Sequence, residues 1–310
     1  MIKNPELINA INNKKLSVDR ISFATTRKCN LECAHCFRGD AQKEDMVETV
    51  PETALSAFST VGSIDVTGGE PLIVTRSLEQ LHNAIRDTKT KFNKLNIITN
   101  GTVYNKKAFE ILESIGGMAQ SGGGVSVGIS DNIWTDEAIK KIGYTKEQII
   151  ENMNKLKQAF PSFDVHRHDR VRVPVYGGRA KGKMNGGIEF RGRETGISFS
   201  DGLTENGDFL LDNLYLDTRG NVVQRYLDYN DSDKENYGNI LDTRLQDILI
   251  KHGVGDVTLP ENERLDPATK EAREREQLMQ FLERLGYAVM LPQDVVINGK
   301  RLGDENTAGQ

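Results

Sequence analysis

The feature that most constrains this chain is a C-x3-C-x2-C run, Cys29, Cys33 and Cys36, inside RKCNLECAHCFRGD. These are its only three cysteines, so none of its 310 residues can supply a fourth thiolate. An odd number gathered in one short window makes a poor disulfide framework. Thiolates so close in sequence point instead to a metal ion or a cluster. Two metals compete. A structural zinc would want four ligands, with His35 as the candidate fourth, but His35 adjoins Cys36 and neighbouring residues seldom both reach one tetrahedral ion. A four-iron, four-sulfur (4Fe-4S) cluster on three cysteines leaves one iron without a protein ligand, and an open position lets a metal centre bind and activate a small molecule. The non-enzymatic alternative is a structural metal-binding module, with the cysteine loop as a knuckle.

Downstream of the cysteines lie strand-like segments with polar ends. Ser63–Pro71 (SIDVTGGEP) reads as a strand closing in a Gly-Gly turn. There Gly68 and Gly69 let backbone approach a ligand, Pro71 stiffens the turn, and Glu70 offers an acceptor suited to an ammonium group. Leu95–Gly101 (LNIITNG) and Val125–Asp131 (VSVGISD) repeat the pattern of an apolar strand with a polar end. Helical stripes alternate with them: Leu78, Leu81 and Ile85; Ala108, Ile111, Leu112 and Ile115; and Ile149, Ile150, Met153, Leu156 and Phe160. Such alternation argues for a parallel sheet in an α/β fold, with chemistry at the C-terminal strand ends. A fifth strand is expected in Val171–Val175, and a last one in Gly196–Ser200 or Phe209–Leu211.

The cysteine run directly after Arg20–Thr25, followed in order by Gly-Gly-Glu-Pro, Thr-Asn-Gly and a terminal Ser-Asp, resembles the radical S-adenosylmethionine (SAM) superfamily over residues 20–200. The resemblance implies an α/β partial (β/α)6 TIM barrel and one 4Fe-4S cluster on Cys29, Cys33 and Cys36. In that family the unligated iron chelates the amino and carboxylate groups of SAM. An electron from an external flavodoxin- or ferredoxin-like reductant then yields a 5'-deoxyadenosyl radical that removes hydrogen from an unactivated C–H bond. Carried over residue by residue, the SAM contacts are His35 and Phe37 near the adenine, Gly68, Gly69 and Glu70 at the amino group, Thr99 and Asn100 at the third strand end, and Ser130 and Asp131 at the ribose. Two positions depart from the family pattern. His35 stands where an aromatic residue is common, and Asn132 where glycine often follows.

The domain reading is a lead-in over 1–19, the barrel over 20–202 and a small α+β extension over 203–310. Leu214–Arg225 reads as a hairpin turning at Thr-Arg-Gly-Asn, followed by Tyr237–Ile240 and a short helix around Thr243–Ile250. This region resembles the SPASM or twitch module without its cysteines; Gln224 stands near the place of one, so no auxiliary cluster is expected. The tail adds a helix between Asp266 and Gly286. A hairpin follows at Val295–Leu302, which could cap the barrel or join a homodimer.

With every thiol assigned to the cluster, none is left to return a hydrogen atom to a substrate radical or to hold a second cluster. Substrate candidates are basic: Arg170 and Arg172 in the run His166–Arg172, and Arg179 in the glycine-rich stretch Gly177–Gly187. Trp134 either packs over the site or anchors its loop. Peptide modification of the ribosomally made natural-product type leads, because the C-terminal part resembles SPASM; a nucleotide, nucleoside or sugar is the alternative substrate. No separate leader-peptide recognition domain is expected before residue 20. A net charge of -5 argues against nucleic acid as the main partner, and no apolar run approaches the ~20 residues of a membrane span, so the expected location is the cytoplasm.

Overall fold

The central parallel strands carry mostly apolar residues on one face and mostly polar ones on the other, the signature of a half-buried sheet with helices packed on it. A computed structural model of the chain describes residues 2, 5–13, 16–120, 123–130, 133–168, 179, 197–203, 208–223, 229–232, 235–254, 296–297 and 300–301. The chain divides into two units, Met1–Val257 and Thr258–Gln310.

In the first unit, α1 (Pro5–Asn12) leads into β1 (Leu16–Ala24), then α2 (Val50–Leu55), β2 (Thr60–Thr67), α3 (Thr75–Thr88), β3 (Lys91–Thr99), α4 (Lys106–Gly116) and β4 (Val125–Ser130). Two helices follow, α5 (Ile133–Lys141) and α6 (Lys146–Ala159), then β5 (Asp164–His168), β6 (Ile197–Leu203), β7 (Phe209–Leu216) and β8 (Asn221–Val222). The unit closes with a single turn α7 (Tyr229–Ser232), β9 (Gly238–Asn239), α8 (Leu245–His252) and β10 (Gly253–Val254). Local sequence explains several boundaries. Asn105 caps α4 by accepting from the Ala108 N–H at 3.2 Å. Thr145 and Gln148 form a reciprocal capping box at the start of α6.

The main sheet has the order β10-β6-β7-β1-β2-β3-β4-β5. From β7 through β1 to β5 all neighbours are parallel; β6 is antiparallel to β7. Ile21, Phe23, Ile64, Val66, Leu95 and Ile97 are buried and join one core with the α3 and α4 stripes. Each such side chain contributes ~1.5–3 kcal/mol by leaving water. The expected α/β, partial-barrel-like fold is present. The Val171–Val175 segment expected as the fifth strand lies outside the described residues, and the strand that follows β4 in the sheet is Asp164–His168. Its apolar content is small because only Val165 turns toward the core while Asp164 and His166 take the opposite face, so a search for an apolar run passes over it. Both windows offered for a last strand are strands, and β7 lies beside β1 in the middle of the sheet. Ile150 leaves the α6 stripe, being half exposed.

The β7–β8 hairpin turns at Asp217–Gly220, as its Thr-Arg-Gly-Asn signal implies, with Gly220 at φ +85. The short helix expected near Thr243–Ile250 is α8. In the second unit, β11 (Val296–Ile297) pairs antiparallel with β12 (Lys300–Arg301), consistent with the Val295–Leu302 hairpin. The expected tail helix lies outside the described residues, as does Gln224.

Candidate metal and cofactor site

The backbone ladder between β1 and β2 continues past both strands. Thr25 N–H donates to Thr67 O at 2.9 Å, Gly69 N–H to Thr26 O at 2.7 Å and Glu70 N–H to Lys28 O at 2.8 Å. The Gly-Gly turn is thereby laced to the segment that enters Cys29. Gly68 sits at φ +141, and a Cβ on Gly68 or Gly69 would overlap the carbonyl of Thr26 or Lys28. The close approach these glycines permit here is to protein backbone beside the cysteine loop, a reason the sequence reading did not supply.

Glu70 is fully buried. Its carboxylate accepts from Thr99 Oγ1 at 2.8 Å, the Leu72 N–H at 3.1 Å and the Asn100 N–H at 2.7 Å. It therefore ties the end of β2 to the end of β3. Burial pushes its pKa up to about 7 against the pull of these donors. Asn100 reaches across to the cysteine loop, donating from Nδ2 to Asn30 Oδ1 at 2.9 Å, while its Oδ1 accepts from Thr102 N–H and Oγ1. Thr99 and Asn100 thus stand with Glu70 beside the loop. Ser130 ends β4; Asp131, Arg170 and Arg172 lie outside the described residues.

The three thiols are free and partly buried. Among the described residues, no three His, Cys, Asp or Glu side chains are gathered tightly enough to hold one metal ion. The Leu31 N–H points at Cys29 Sγ at 3.5 Å. Burial pushes Cys29 up to about 11 and Cys33 up to about 12, so a metal would have to displace the protons. Arg179 pulls the other way on both thiols, and its side chain is 11% exposed. It donates from Nε to Cys33 O at 3.0 Å and from its backbone N–H to Cys36 O at 3.0 Å. Its Nη1 lies 3.5 Å from Asp40 Oδ1.

His35 packs its ring against Trp134, with centroids 5.2 Å apart and planes tilted by 30°. Its Nδ1 is buried without a hydrogen-bond partner, and burial holds its pKa down at about 4. Phe37 lies under the Arg38 guanidinium at 5.0 Å.

A second set of residues behind the loop was missed from sequence. Arg27, fully buried, donates to Asp217 Oδ2 at 3.0 Å, Thr218 Oγ1 at 3.0 Å and Gln42 Oε1 at 2.9 Å, with Glu44 Oε1 at 3.3 Å. Its guanidinium lies 5.0 Å over the Tyr229 ring. Asp217 and Thr218 come from the β7–β8 turn and Tyr229 from α7, while Gln42 and Glu44 come from the segment after the cysteine loop, so the C-terminal part of the unit helps to brace the entry to Cys29. Nothing in the sequence signalled this, because an Arg beside the motif is a residue type seldom fully buried.

The sheet face turned away from α3 and α4 carries a polar rung in exact register: Tyr215, Ser22, Asp65, Asn96, Ser126 and Asp164. Asp65 accepts from Asn96 Nδ2 at 2.8 Å and lies 3.7 Å from Arg20 Nε; Ser126 Oγ donates to Asp164 at 3.3 Å. Three free thiols on one loop, with an unpartnered buried imidazole nitrogen among them, fit a sulfur-ligated iron cluster and a small ligand that can accept or donate a hydrogen bond there.

Residues 23–166 match the family model of the Radical SAM superfamily. The chain is 32% identical over 97 residues to the antilisterial bacteriocin subtilosin biosynthesis protein AlbA of Bacillus subtilis (strain 168), covering 30% of this chain and 21% of that protein. It is 34% identical over 102 residues to GTP 3',8-cyclase of Chlorobaculum tepidum, covering 32% of this chain and 30% of that one. The chain thus spans less than a third of the length of either relative. The solved structure of native anSMEcpe with bound AdoMet and Cp18Cys peptide is similar with a TM-score of 0.47 and 14% identity, over 75% of this chain and 80% of that one.

Proposed function

We propose, since residues 23–166 match the family model of the Radical SAM superfamily, that this chain is a radical SAM enzyme holding one 4Fe-4S cluster on Cys29, Cys33 and Cys36 and binding SAM beside it. The observation that carries the reading is the ladder lacing Gly69 and Glu70 to Thr26 and Lys28, which sets the Gly-Gly-Glu-Pro turn against the cysteine loop. When bound, the cluster and SAM supply a 5'-deoxyadenosyl radical for hydrogen abstraction. The residues of the chain do the rest. Asn100 and Asn30 hold the loop to the end of β3, and Glu70 keeps the ends of β2 and β3 together. Gly68 and Gly69 present the turn's backbone to the amino end of SAM. His35, steadied by Trp134, offers its free Nδ1 to the adenine. Ser130 and Asp131 take the ribose, and an external flavodoxin- or ferredoxin-like protein supplies the electron.

The substrate is a polar molecule received over the rung from Tyr215 to Asp164, where Asn96 and Ser126 offer uncharged hydrogen-bonding groups. Peptide modification is the leading class, supported by the likeness to a protein of bacteriocin biosynthesis. A nucleotide is the second, supported by the likeness to GTP 3',8-cyclase over a comparable length.

The test is anaerobic reconstitution with iron and sulfide quantification, and a dithionite assay for 5'-deoxyadenosine. About four irons per chain, with cleavage lost in the Cys29→Ala/Cys33→Ala/Cys36→Ala variant, supports the reading. Zinc with no cleavage would overturn it in favour of a structural knuckle.

A further inference from the structure

Arg179 is the one residue of the stretch Gly177–Gly187 that the structure describes, and it meets the cysteine loop twice. Its backbone N–H takes the Cys36 carbonyl and its Nε the Cys33 carbonyl, both at 3.0 Å. Those are the carbonyls of two of the three ligand cysteines. The Cys36 N–H closes back on Cys33 O at 3.2 Å, so Cys33 O accepts both from the end of its own turn and from Arg179. Cys36 O likewise receives the Gly39 N–H at 3.3 Å. A carbonyl has two lone pairs, so this double use saturates both groups. The guanidinium is 11% exposed, held between the loop and the Asp40 carboxylate, which is itself 87% exposed and so screens little of the charge.

Such an arrangement does not suit a residue reserved for substrate. A side chain committed to one backbone carbonyl of another loop, on a residue whose own N–H is committed to a second, loses the freedom to follow a ligand. We propose that Arg179 is a positioning residue of the cysteine loop: it pins the Cys33–Cys36 turn and keeps a fixed cation beside the cluster that the three thiols would hold. The inference rests on the cluster reading above. Its consequence for redox chemistry is electrostatic. Reduction adds one negative charge to a centre already carrying three thiolates, and a neighbouring cation in a partly dry site favours the more negative state. Arg179 therefore makes the loop's cluster easier to reduce, and does so from a part of the chain distant in sequence from the cysteines.

The test compares wild type with Arg179→Gln and Arg179→Lys in two measurements. The first is hydrogen exchange of the peptide spanning residues 29–40 in the metal-free protein. The second is a potentiometric titration of the reconstituted cluster followed by electron paramagnetic resonance. Faster exchange confined to that peptide is expected in both variants, because neither side chain reproduces the Nε bond. In Arg179→Gln the reduced-to-oxidised ratio at a fixed potential is expected to fall several-fold, whereas Arg179→Lys, keeping the charge, stays near wild type. Unchanged exchange in both variants would overturn the pinning role. An unchanged redox ratio in Arg179→Gln at full iron content would overturn the electrostatic one. If wild type binds no iron, the cluster reading fails by itself, and the exchange data still decide whether Arg179 pins the loop.

Discussion

Arg27 and Asp217, 190 positions apart in sequence, meet at 3.0 Å between Nη2 and Oδ2 with side-chain exposures of 0% and 1%. Asp217 is saturated: it also accepts from the Arg219 and Asn221 N–H groups and from Asn221 Nδ2. The pair welds the β7–β8 turn to the residue two before Cys29. Asp217→Ala takes a carboxylate from a buried guanidinium and strips two backbone donors of their acceptor. The expected loss is ~3–5 kcal/mol of stability, read from urea unfolding of the metal-free protein. A loss under about 1 kcal/mol would show the pair to be incidental.

Glu70 makes stability depend on pH. Its pKa is raised by burial from 4.5 to about 7. Ionisation is thus harder in the folded than in the unfolded chain. The group's contribution is fully present below 4.5 and is lost as pH rises to and through 7, a span worth about 3 kcal/mol. Glu70→Gln does not titrate. Between pH 4.5 and pH 8 wild type should therefore lose about 3 kcal/mol relative to the variant in urea unfolding. A gap between the two proteins that stays constant over this range would contradict the assignment.

The Gly-Gly turn has no room for a side chain. Gly69→Ala places a methyl group against the Lys28 carbonyl and breaks the ladder to the cysteine loop. It should cost ~2 kcal/mol or more and lower iron per chain after reconstitution. Gly124→Ala is the control, since a Cβ there meets nothing within 4 Å. If both variants load iron like wild type, the turn does not shape the loop.

The Trp134 ring steadies His35 rather than any cysteine. Trp134→Ala should weaken SAM binding by about fivefold, the ~1 kcal/mol of an aromatic pair, while leaving iron content unchanged; Trp134→Phe should restore most of it. Equilibrium binding of SAM to the reconstituted protein measures both. Equal affinity in all three proteins would remove His35 and Trp134 from the SAM site.

Much of the fold was legible because its signals are local. The stripe Leu78, Leu81, Ile85 became α3, and the Asn-Ile-Ile-Thr run became β3, since periodicity reports which face meets the core. The strand Asp164–His168 was not legible. It offers the core only Val165 and is otherwise polar, and so polar a strand looks like a loop until the neighbouring strand is known. The site divides in the same way. Cysteine spacing and Gly-Gly-Glu-Pro are contiguous and stand out, while Arg179 was read as a substrate residue because nothing in Gly-Gly-Arg-Ala says that it turns to Cys33.

By itself the sequence determined the donor set, three thiols and no fourth, and the alternation of elements that carries them, because covalent spacing and hydrophobic period are properties of neighbouring residues. The tertiary structure alone decided what surrounds those thiols. Burying the Arg27 guanidinium requires Asp217, Glu44 and Tyr229 to converge from separate segments, and the Glu70 carboxylate tolerates burial only because Leu72, Thr99 and Asn100 supply donors. Buried polar groups must find partners wherever the chain brings them, and the distances that matter are in space, not in sequence.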